Sequence, residues 1–251
     1  MCTSDHFSGW DKSSGRMSRR HFTAISAAAM LAACAPAISA TDSDEATGLI
    51  ETAVTFDAPG GTMDGVFIHP ASGTYPGVIL WPDIAGLRPS KIELGRALAA
   101  EGYAVLVANP YYRSVAGQQF ENFDALIEVG FGAVADWREA NTPAAVMESA
   151  AAIVAWLDMQ DVVDTSRGIG AQGYCMTGTW TALAAAAVPD RVKAAAAFHP
   201  GSFLGDDPLA AVNVFDRIAD DAGALMALAR NDDARAPEEK TEIRAAAQAT
   251  G

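Results

Sequence analysis

The apolar residues of this chain are grouped into short runs separated by Gly, Pro and polar residues. Runs of small or apolar residues, with the length of strands buried on both faces, occur at 77–81, 103–108, 168–172, 191–198 and 224–229. Segments with helical length and spacing alternate with these runs, at 92–102, 143–157 and 179–188. The alternation predicts an α/β fold, with a mainly parallel sheet and helices on both of its faces.

The beginning of the predicted domain has a different pattern. Residues 51–56 alternate between polar and apolar side chains, a Pro-Gly-Gly turn follows, and residues 63–69 return as a second strand. This predicts an antiparallel hairpin ahead of the parallel strands. Residues 114–141 show no clean period and are expected to form short helices over the mouth of a site, whereas Thr142 and Pro143 begin a strong helix.

Residues 1–40 have the features of an export signal. Arg19 and Arg20 precede an Ala-rich apolar stretch, which resembles a twin-arginine signal. Leu-Ala-Ala before Cys34 resembles a lipobox, so we favour a periplasmic protein anchored through lipidated Cys34. The alternative is cleavage at the small-residue site 35–37, which would release a soluble protein. The predicted organisation is signal 1–40, linker 41–50 and domain 51–251, with the twin-arginine machinery as a partner.

Composition narrows the classes of partner. The chain has 251 residues, of which 50% are hydrophobic, and a net charge of −14. Residues 41–251 contain 13 Lys or Arg against 29 Asp or Glu, which argues against nucleic acid and anionic membrane surfaces as partners. Beyond the leader no segment is long and apolar enough to span a bilayer. Cys175 is the one cysteine of the predicted domain, which excludes a disulfide within it.

Cys175 lies where a predicted strand passes into a predicted helix. Gly173 is two positions before it and Gly178 three positions after it, as in a sharp strand-to-helix turn that carries a nucleophile. A helix N-terminus favours a thiolate, and its free N–H groups can hold an oxyanion. The alternative is that Cys175 is a small buried hydrophobic residue without a chemical role.

The hexapeptide Gly173-Tyr174-Cys175-Met176-Thr177-Gly178 resembles the nucleophile elbow of the dienelactone hydrolase family, a cysteine branch of the α/β-hydrolases. Thr177 stands where the family usually has glycine, and its bulk is expected to tighten the elbow. The resemblance extends from about residue 52 to the C-terminus. It implies an α/β-hydrolase fold that hydrolyses a small ester or lactone through an acyl-enzyme, without a metal or an organic cofactor.

Three further segments carry the resemblance. The loop 82–86 implies that the N–H groups of Ile84 and Met176 bind the oxyanion, and that Asp83 replaces a family glutamate that engages the resting cysteine. The segment 109–113 implies Tyr112 and Arg113 as substrate-binding residues, with Arg113 binding a substrate carboxylate. A surface salt bridge is the alternative for Arg113. The residues after 229 imply a triad acid, either Asp232 or Asp233, with Asp232 the better match.

The family histidine is the element that this sequence does not supply. It is expected after the acid, about thirty residues further on, and no histidine follows His199. Because His199 precedes the acid, we assign it to structure or to the pocket lining. We therefore expect that this chain lacks the C-terminal strand and helix, exposes a sheet edge and has impaired activity, as a fragment or as a degraded relative.

Two other classes of function compete with hydrolysis. A non-catalytic exported binding protein, or pseudoenzyme, would keep the pocket without the general base. A redox-sensing protein would form a sulfenic acid at Cys175 under mild peroxide. The histidine distinguishes the first alternative from an ester or lactone hydrolase, and labelling of sulfenic acid distinguishes the second.

Overall fold

The computed structural model describes residues 41–44 and 48–250, and within them the sheet has eight strands. The strands are β1 (Thr41–Asp44), β2 (Leu49–Ala58), β3 (Gly61–Pro70), β4 (Gly77–Trp81), β5 (Ala104–Ala108), β6 (Ile169–Tyr174), β7 (Val192–Phe198) and β8 (Gly223–Ala227). Their spatial order is β1-β2-β3-β5-β4-β6-β7-β8. The apolar runs of the sequence thus became strands at or near the predicted positions.

The sheet is mixed, with antiparallel strands at one end. β1, β2 and β3 pair antiparallel, and β3 is antiparallel to β5. From β5 onward every pairing is parallel, for example Val78 beside Val105 and Leu80 beside Gln172. The predicted hairpin and parallel sheet are confirmed. Residues Thr41–Asp44, predicted to be linker, instead extend the sheet because they pair with the exposed edge of β2.

The helices cover both faces of the sheet, as predicted. They are α1 (Pro89–Ala100), α2 (Phe123–Val129), α3 (Ala135–Glu139), α4 (Pro143–Asp158), α5 (Trp180–Ala187), α6 (Arg230–Arg235) and α7 (Glu239–Ala249). α1 packs on one face through a cluster that includes Leu80 and Val105. α4 and α5 cover the other face through a larger cluster that includes Ile79, Ile153 and Leu183. Because both faces are covered, the central strands β4 and β5 are buried along their whole length.

Local sequence signals explain how several helices begin. The side chain of Thr142 accepts a hydrogen bond from the N–H of Ala145, so it caps α4 as predicted. Asn122 caps α2 in the same way. Between α2 and α3 lies a short 3₁₀ helix, Phe131–Val134, so residues 114–141 contain the short helices expected there.

The last part of the described chain contains two helices that the sequence did not predict, α6 and α7. β8 forms the edge of the sheet, and the side chain of Leu225 on it is 55% exposed. After β8 the chain enters α6 at Arg230, so Asp232 and Asp233 lie in the first turn of a helix and not at the end of a strand. Acidic residues stabilise such a first turn by their interaction with the helix dipole. None of the helices in the described ranges combines the length and apolar character needed to cross a membrane.

Candidate active site

The turn at Cys175 has the geometry of a nucleophile elbow. β6 ends at Tyr174, a 3₁₀ turn covers Cys175–Gly178, and α5 begins at Trp180. Cys175 has a φ of 53°, in the left-handed region that non-glycine residues seldom adopt. Such backbone strain persists where the surroundings enforce it, commonly at functional sites. The predicted sharp strand-to-helix turn is therefore present, with Cys175 at its tip.

The two glycines that flank Cys175 are required by close backbone contacts. A Cβ atom on Gly173 would lie 2.2 Å from the carbonyl oxygen of Thr177. A Cβ atom on Gly178 would lie 2.6 Å from Cβ of Pro200, in the turn that follows β7. Any larger side chain at either position would push the elbow apart.

Thr177, the residue that departs from the family pattern, is fully buried and fastens the elbow to the sheet. Its hydroxyl accepts a hydrogen bond from the N–H of Tyr174 at 3.1 Å. The same hydroxyl lies 3.0 Å from the carbonyl oxygen of Trp81 and 3.1 Å from that of Tyr174, and can donate to either. The elbow is thereby tied to the end of β4, which agrees with the expectation that Thr177 tightens it.

Tyr111 connects the two predicted oxyanion residues. Its hydroxyl donates to the carbonyl oxygen of Ile84 at 2.8 Å and lies 3.6 Å from Sδ of Met176. Burial raises the pKa of Tyr111, so the phenol stays protonated and remains a donor. The loop after β4 and the elbow after β6 therefore meet at Tyr111. The sequence analysis had chosen its neighbour Tyr112.

Asp83 is the centre of a buried ion cluster. Its carboxylate accepts two hydrogen bonds from the guanidinium of Arg88, both at 2.7 Å, and one from the N–H of Ala85 at 3.0 Å. It also forms an ion pair with Nζ of Lys91 at 3.0 Å. Burial alone would raise the pKa of Asp83. The hydrogen bonds and charges of Arg88 and Lys91 outweigh that effect and hold the pKa below its usual value. Asp83 is thus a carboxylate bound by two cations, and its predicted engagement with Cys175 stays a prediction.

Tyr112 and Arg113 are directed towards α4. The guanidinium of Arg113 donates to Oγ of Ser149 and to the carbonyl oxygen of Ala145, both at 2.8 Å, and lies over the ring of Tyr112. The hydroxyl of Tyr112 donates to the carbonyl oxygen of Pro59 at 2.7 Å and lies 3.1 Å from Ser149. These contacts join the β2–β3 turn to α4, and the binding of a substrate carboxylate by Arg113 stays a prediction.

The two candidate acids have local partners. Asp232 forms an ion pair with Arg235 one turn further along α6. Asp233 forms an ion pair with Nζ of Lys240 at 2.6 Å. Neither described contact involves a histidine, so the role of triad acid remains a prediction.

The turn after β7 borders the elbow. The N–H of Gly201 donates to the carbonyl oxygen of Cys175 at 3.0 Å. His199 has a φ of 38°, and its N–H donates to the carbonyl oxygen of Ala227 at the end of β8. Cys175 and His199 are the two non-glycine residues with positive φ in the described ranges. Backbone strain is thus concentrated in two adjacent turns at one end of the sheet.

Sequence reasoning missed Arg88, Lys91 and Tyr111. A signal for the first two existed, because two basic residues follow Asp83 within eight positions in a strongly acidic domain. As for metals, the described part of the chain contains no group of three or more His, Cys, Asp or Glu side chains placed to bind one.

Comparison with known proteins decides the family. The model of the dienelactone hydrolase family matches residues 63–250, which include the loop after β4, the elbow and the segment after β8. The chain belongs to this family. Family membership and fold support ester hydrolysis in general and a small-molecule substrate. No curated protein matches the chain significantly.

Solved structures show the same fold in distant relatives. A candidate dienelactone hydrolase from Klebsiella pneumoniae subsp. pneumoniae is 21% identical, with 80% of this chain and 81% of that chain covered and a TM-score of 0.60. An acetyl xylan esterase from Paenibacillus sp. R4 is 17% identical, with 83% and 78% covered and a TM-score of 0.58. A dienelactone hydrolase-like promiscuous phosphotriesterase, P91, from metagenomic libraries is 21% identical, with 80% and 98% covered and a TM-score of 0.51. These similarities establish the α/β-hydrolase fold.

Proposed function

We propose that this protein hydrolyses a small ester or lactone, with Cys175 as the nucleophile. The observation that carries the proposal is the left-handed backbone of Cys175 at the tip of the strand-to-helix turn. This geometry lifts a side chain out of the sheet and towards the N–H groups of the residues that follow. The membership of the family and the meeting of the loop after β4 with the elbow at Tyr111 add support.

In the proposed reaction the sulfur of Cys175 attacks the carbonyl carbon of the substrate. A C–S bond forms while the carbonyl π electrons move onto oxygen, where the N–H groups of Ile84 and Met176 are proposed to bind the negative charge. Collapse of this intermediate expels the alcohol, which takes up a proton, and leaves a thioester on Cys175. Water then adds to the thioester and releases the acid and the thiol. N–H groups at the start of a helical turn have no acceptor within it, which suits Met176 to its part.

The experiment that tests this proposal compares turnover of a panel of 4-nitrophenyl esters and small lactones by wild type and by Cys175→Ala. The matched control is Cys2→Ala in the full-length, unprocessed chain, which removes a cysteine outside the predicted domain. We expect turnover by wild type and by the control, and no turnover above background by Cys175→Ala. Full turnover by Cys175→Ala would show that Cys175 is not the nucleophile.

The contacts of the two acids favour one second candidate, a binding protein on the same fold. Asp232 and Asp233 are each paired with a basic side chain, where a working triad acid would orient a histidine. Under this alternative wild type would hydrolyse none of the panel, and a lactone or ester would still raise its melting temperature.

We propose further that the protein is exported by the twin-arginine machinery and is anchored in the periplasm through Cys34. The segments that motivate this, the arginine pair and the lipobox-like tetrapeptide, lie outside the described residues. Incorporation of a labelled fatty acid into wild type but not into Cys34→Ala would support the anchor. Release of unlabelled protein by osmotic shock would instead support the soluble form.

A further inference from the structure

The ion cluster at the start of α1 contains one more cation than its carboxylate neutralises. Arg88 and Lys91 both bind Asp83, and all three side chains are largely buried, with exposed fractions of 6%, 12% and 10%. The bidentate contact with Arg88 already satisfies both oxygens of Asp83. Lys91 therefore brings a nearly buried positive charge that the cluster itself does not balance, which is costly unless another negative charge lies nearby.

Lys91 reaches from α1 to the elbow. Its Nζ lies 4.3 Å from the centroid of the Tyr174 ring, and Tyr174 is the residue immediately before Cys175. The ring of Tyr174 is itself held in place by stacking on Phe198, with centroids 5.1 Å apart and planes 14° from parallel. The ammonium group thus lies between the loop after β4 and the elbow, in contact with the carboxylate of Asp83 and the ring of Tyr174.

We propose that Lys91 is a positioning residue that keeps Cys175 as a thiolate in the resting protein, with Asp83 and Arg88 holding Lys91 in place. The inference rests on the proposed nucleophile. Its support is the charge balance of the site: two cations, Arg88 and Lys91, share the single carboxylate of Asp83, which leaves one positive charge for a thiolate to balance. Burial lowers the pKa of Lys91, and the carboxylate of Asp83 is the main influence that acts against it; a negative charge on Cys175 acts in the same direction to a smaller extent.

The proposal changes the first step of the reaction. The thiol proton leaves to solvent before substrate binds, so the thiolate can form the C–S bond without a base to remove that proton. The alcohol that leaves then takes its proton from water. A site of this kind needs no histidine for acylation, which is consistent with the local ion pairs of Asp232 and Asp233.

Other ionisable groups also surround Cys175, and the test must separate them from Lys91. On the adjoining segments they are Asp83, Arg88, Tyr111, Arg138, Tyr174 and His199. Burial raises the pKa of both tyrosines, so they stay neutral near pH 7, and Asp83 stays charged because its pKa is lowered. His199, in the turn after β7 that borders the elbow, is therefore tested by a variant of its own.

The experiment is the pH profile of alkylation by iodoacetamide, followed on the tryptic peptide 168–191, which contains Cys175 and no other cysteine. It compares wild type with Lys91→Met, Lys91→Arg, His199→Gln and the control Lys193→Met, which removes a half-buried lysine that pairs with Asp221. We expect Lys91→Met to raise the pH midpoint by about one unit or more, because an opposite charge at such range shifts a titration by that amount. Lys91→Arg, His199→Gln and Lys193→Met should leave the midpoint near that of wild type.

An unchanged midpoint in Lys91→Met would overturn the proposal, and so would a shift in His199→Gln with none in Lys91→Met. An equal shift in Lys91→Arg would also overturn it, because the charge would then be irrelevant. Lys91→Gln serves as a second neutral variant if the methionine variant fails to fold. Alkylation requires no ester turnover, so failure of this proposal and failure of the proposed function give separate results.

Discussion

Thr177 offers the sharpest test of how the elbow is held. Its buried hydroxyl accepts the N–H of Tyr174 and lies within donating distance of the Trp81 and Tyr174 carbonyl oxygens. Thr177→Val keeps the shape of the side chain and removes all three contacts. Thr177→Ser keeps the hydroxyl and removes one methyl group.

The expected loss in free energy of unfolding follows from the number of buried polar groups that each variant leaves without a hydrogen bond. A hydroxyl has one proton, so it makes one donated and one accepted hydrogen bond at a time. Thr177→Val therefore leaves one N–H and one carbonyl unpaired in a buried site, at about 1–3 kcal/mol each, or about 2–6 kcal/mol in total. Thr177→Ser loses one buried methyl group and should cost about 1 kcal/mol.

The assay is urea unfolding at pH 7 followed by tryptophan fluorescence. Trp81 and Trp180 pack edge to face with centroids 5.3 Å apart next to the elbow, so their emission should report its loss. We expect the free energy of unfolding to fall in the order wild type, Thr177→Ser, Thr177→Val. The reasoning would be refuted if Thr177→Val were within about 0.5 kcal/mol of wild type, or if Thr177→Ser were as unstable as Thr177→Val.

Three other substitutions test separate parts of the account. Gly173→Ala should lower the free energy of unfolding by about 1–3 kcal/mol, because its Cβ would lie 2.2 Å from the Thr177 carbonyl oxygen; Gly170→Ala, on the same strand with its nearest neighbour at 3.7 Å, should be nearly neutral in the same urea assay. Asp83→Asn should cost about 3–5 kcal/mol at pH 7, because it leaves two buried cations with a neutral partner. The folded pKa of Asp83 is lowered below 3.8, so its contribution to stability is present above pH 3.8 and is lost as the pH falls further. The difference in free energy of unfolding between wild type and Asp83→Asn should therefore stay constant from pH 5 to 8 and narrow below pH 3.8. A difference that narrowed near pH 6 would contradict this. Arg113→Ala should lower the free energy of unfolding by about 1–2 kcal/mol through its lost contacts with α4. It should leave KM unchanged both for esters with a carboxylate and for esters without one. A KM raised only for the carboxylate esters would support the predicted role of Arg113 in substrate binding.

The sequence predicted the strands and main helices well because local patterns encode them. A continuous apolar run such as 77–81 has few structures open to it other than a strand buried on both faces. Thr142 followed by Pro143 is a strong signal for the start of a helix, and α4 begins there. Gly173 and Gly178 around Cys175 were also informative, because a tight turn restricts residue type more than a surface does.

The contacts within the site were harder to predict because they depend on the direction of side chains from different elements. Tyr111 and Tyr112 are adjacent after β5, and the sequence gives no reason to prefer one. In the fold, the hydroxyl of Tyr111 contacts the loop after β4, whereas that of Tyr112 contacts Pro59 and Ser149. The ion cluster of Asp83 with Lys91 likewise forms only when the N-terminus of α1 is placed against the loop after β4.

The short helix α6 was missed for a related reason. Its six residues, Arg230–Arg235, contain no apolar periodicity, and the sequence analysis extended the preceding strand up to them. Two acidic residues in a first turn and an arginine in the last turn are a weak helix signal that favourable dipole interactions strengthen. A carboxylate at the end of a strand and one in the first turn of a helix point in different directions. The presence of α6 therefore changes where the carboxylates of Asp232 and Asp233 lie.

The most direct test of the central claim is a search for the acyl-enzyme. Wild type is mixed with a 4-nitrophenyl ester, quenched in acid within the first turnovers, and analysed by intact mass and by tryptic peptides. The account predicts one added acyl group, located in peptide 168–191 and absent from Cys175→Ala. Hydrolysis with no adduct on that peptide, or an adduct elsewhere that survives in Cys175→Ala, would contradict Cys175 as the nucleophile.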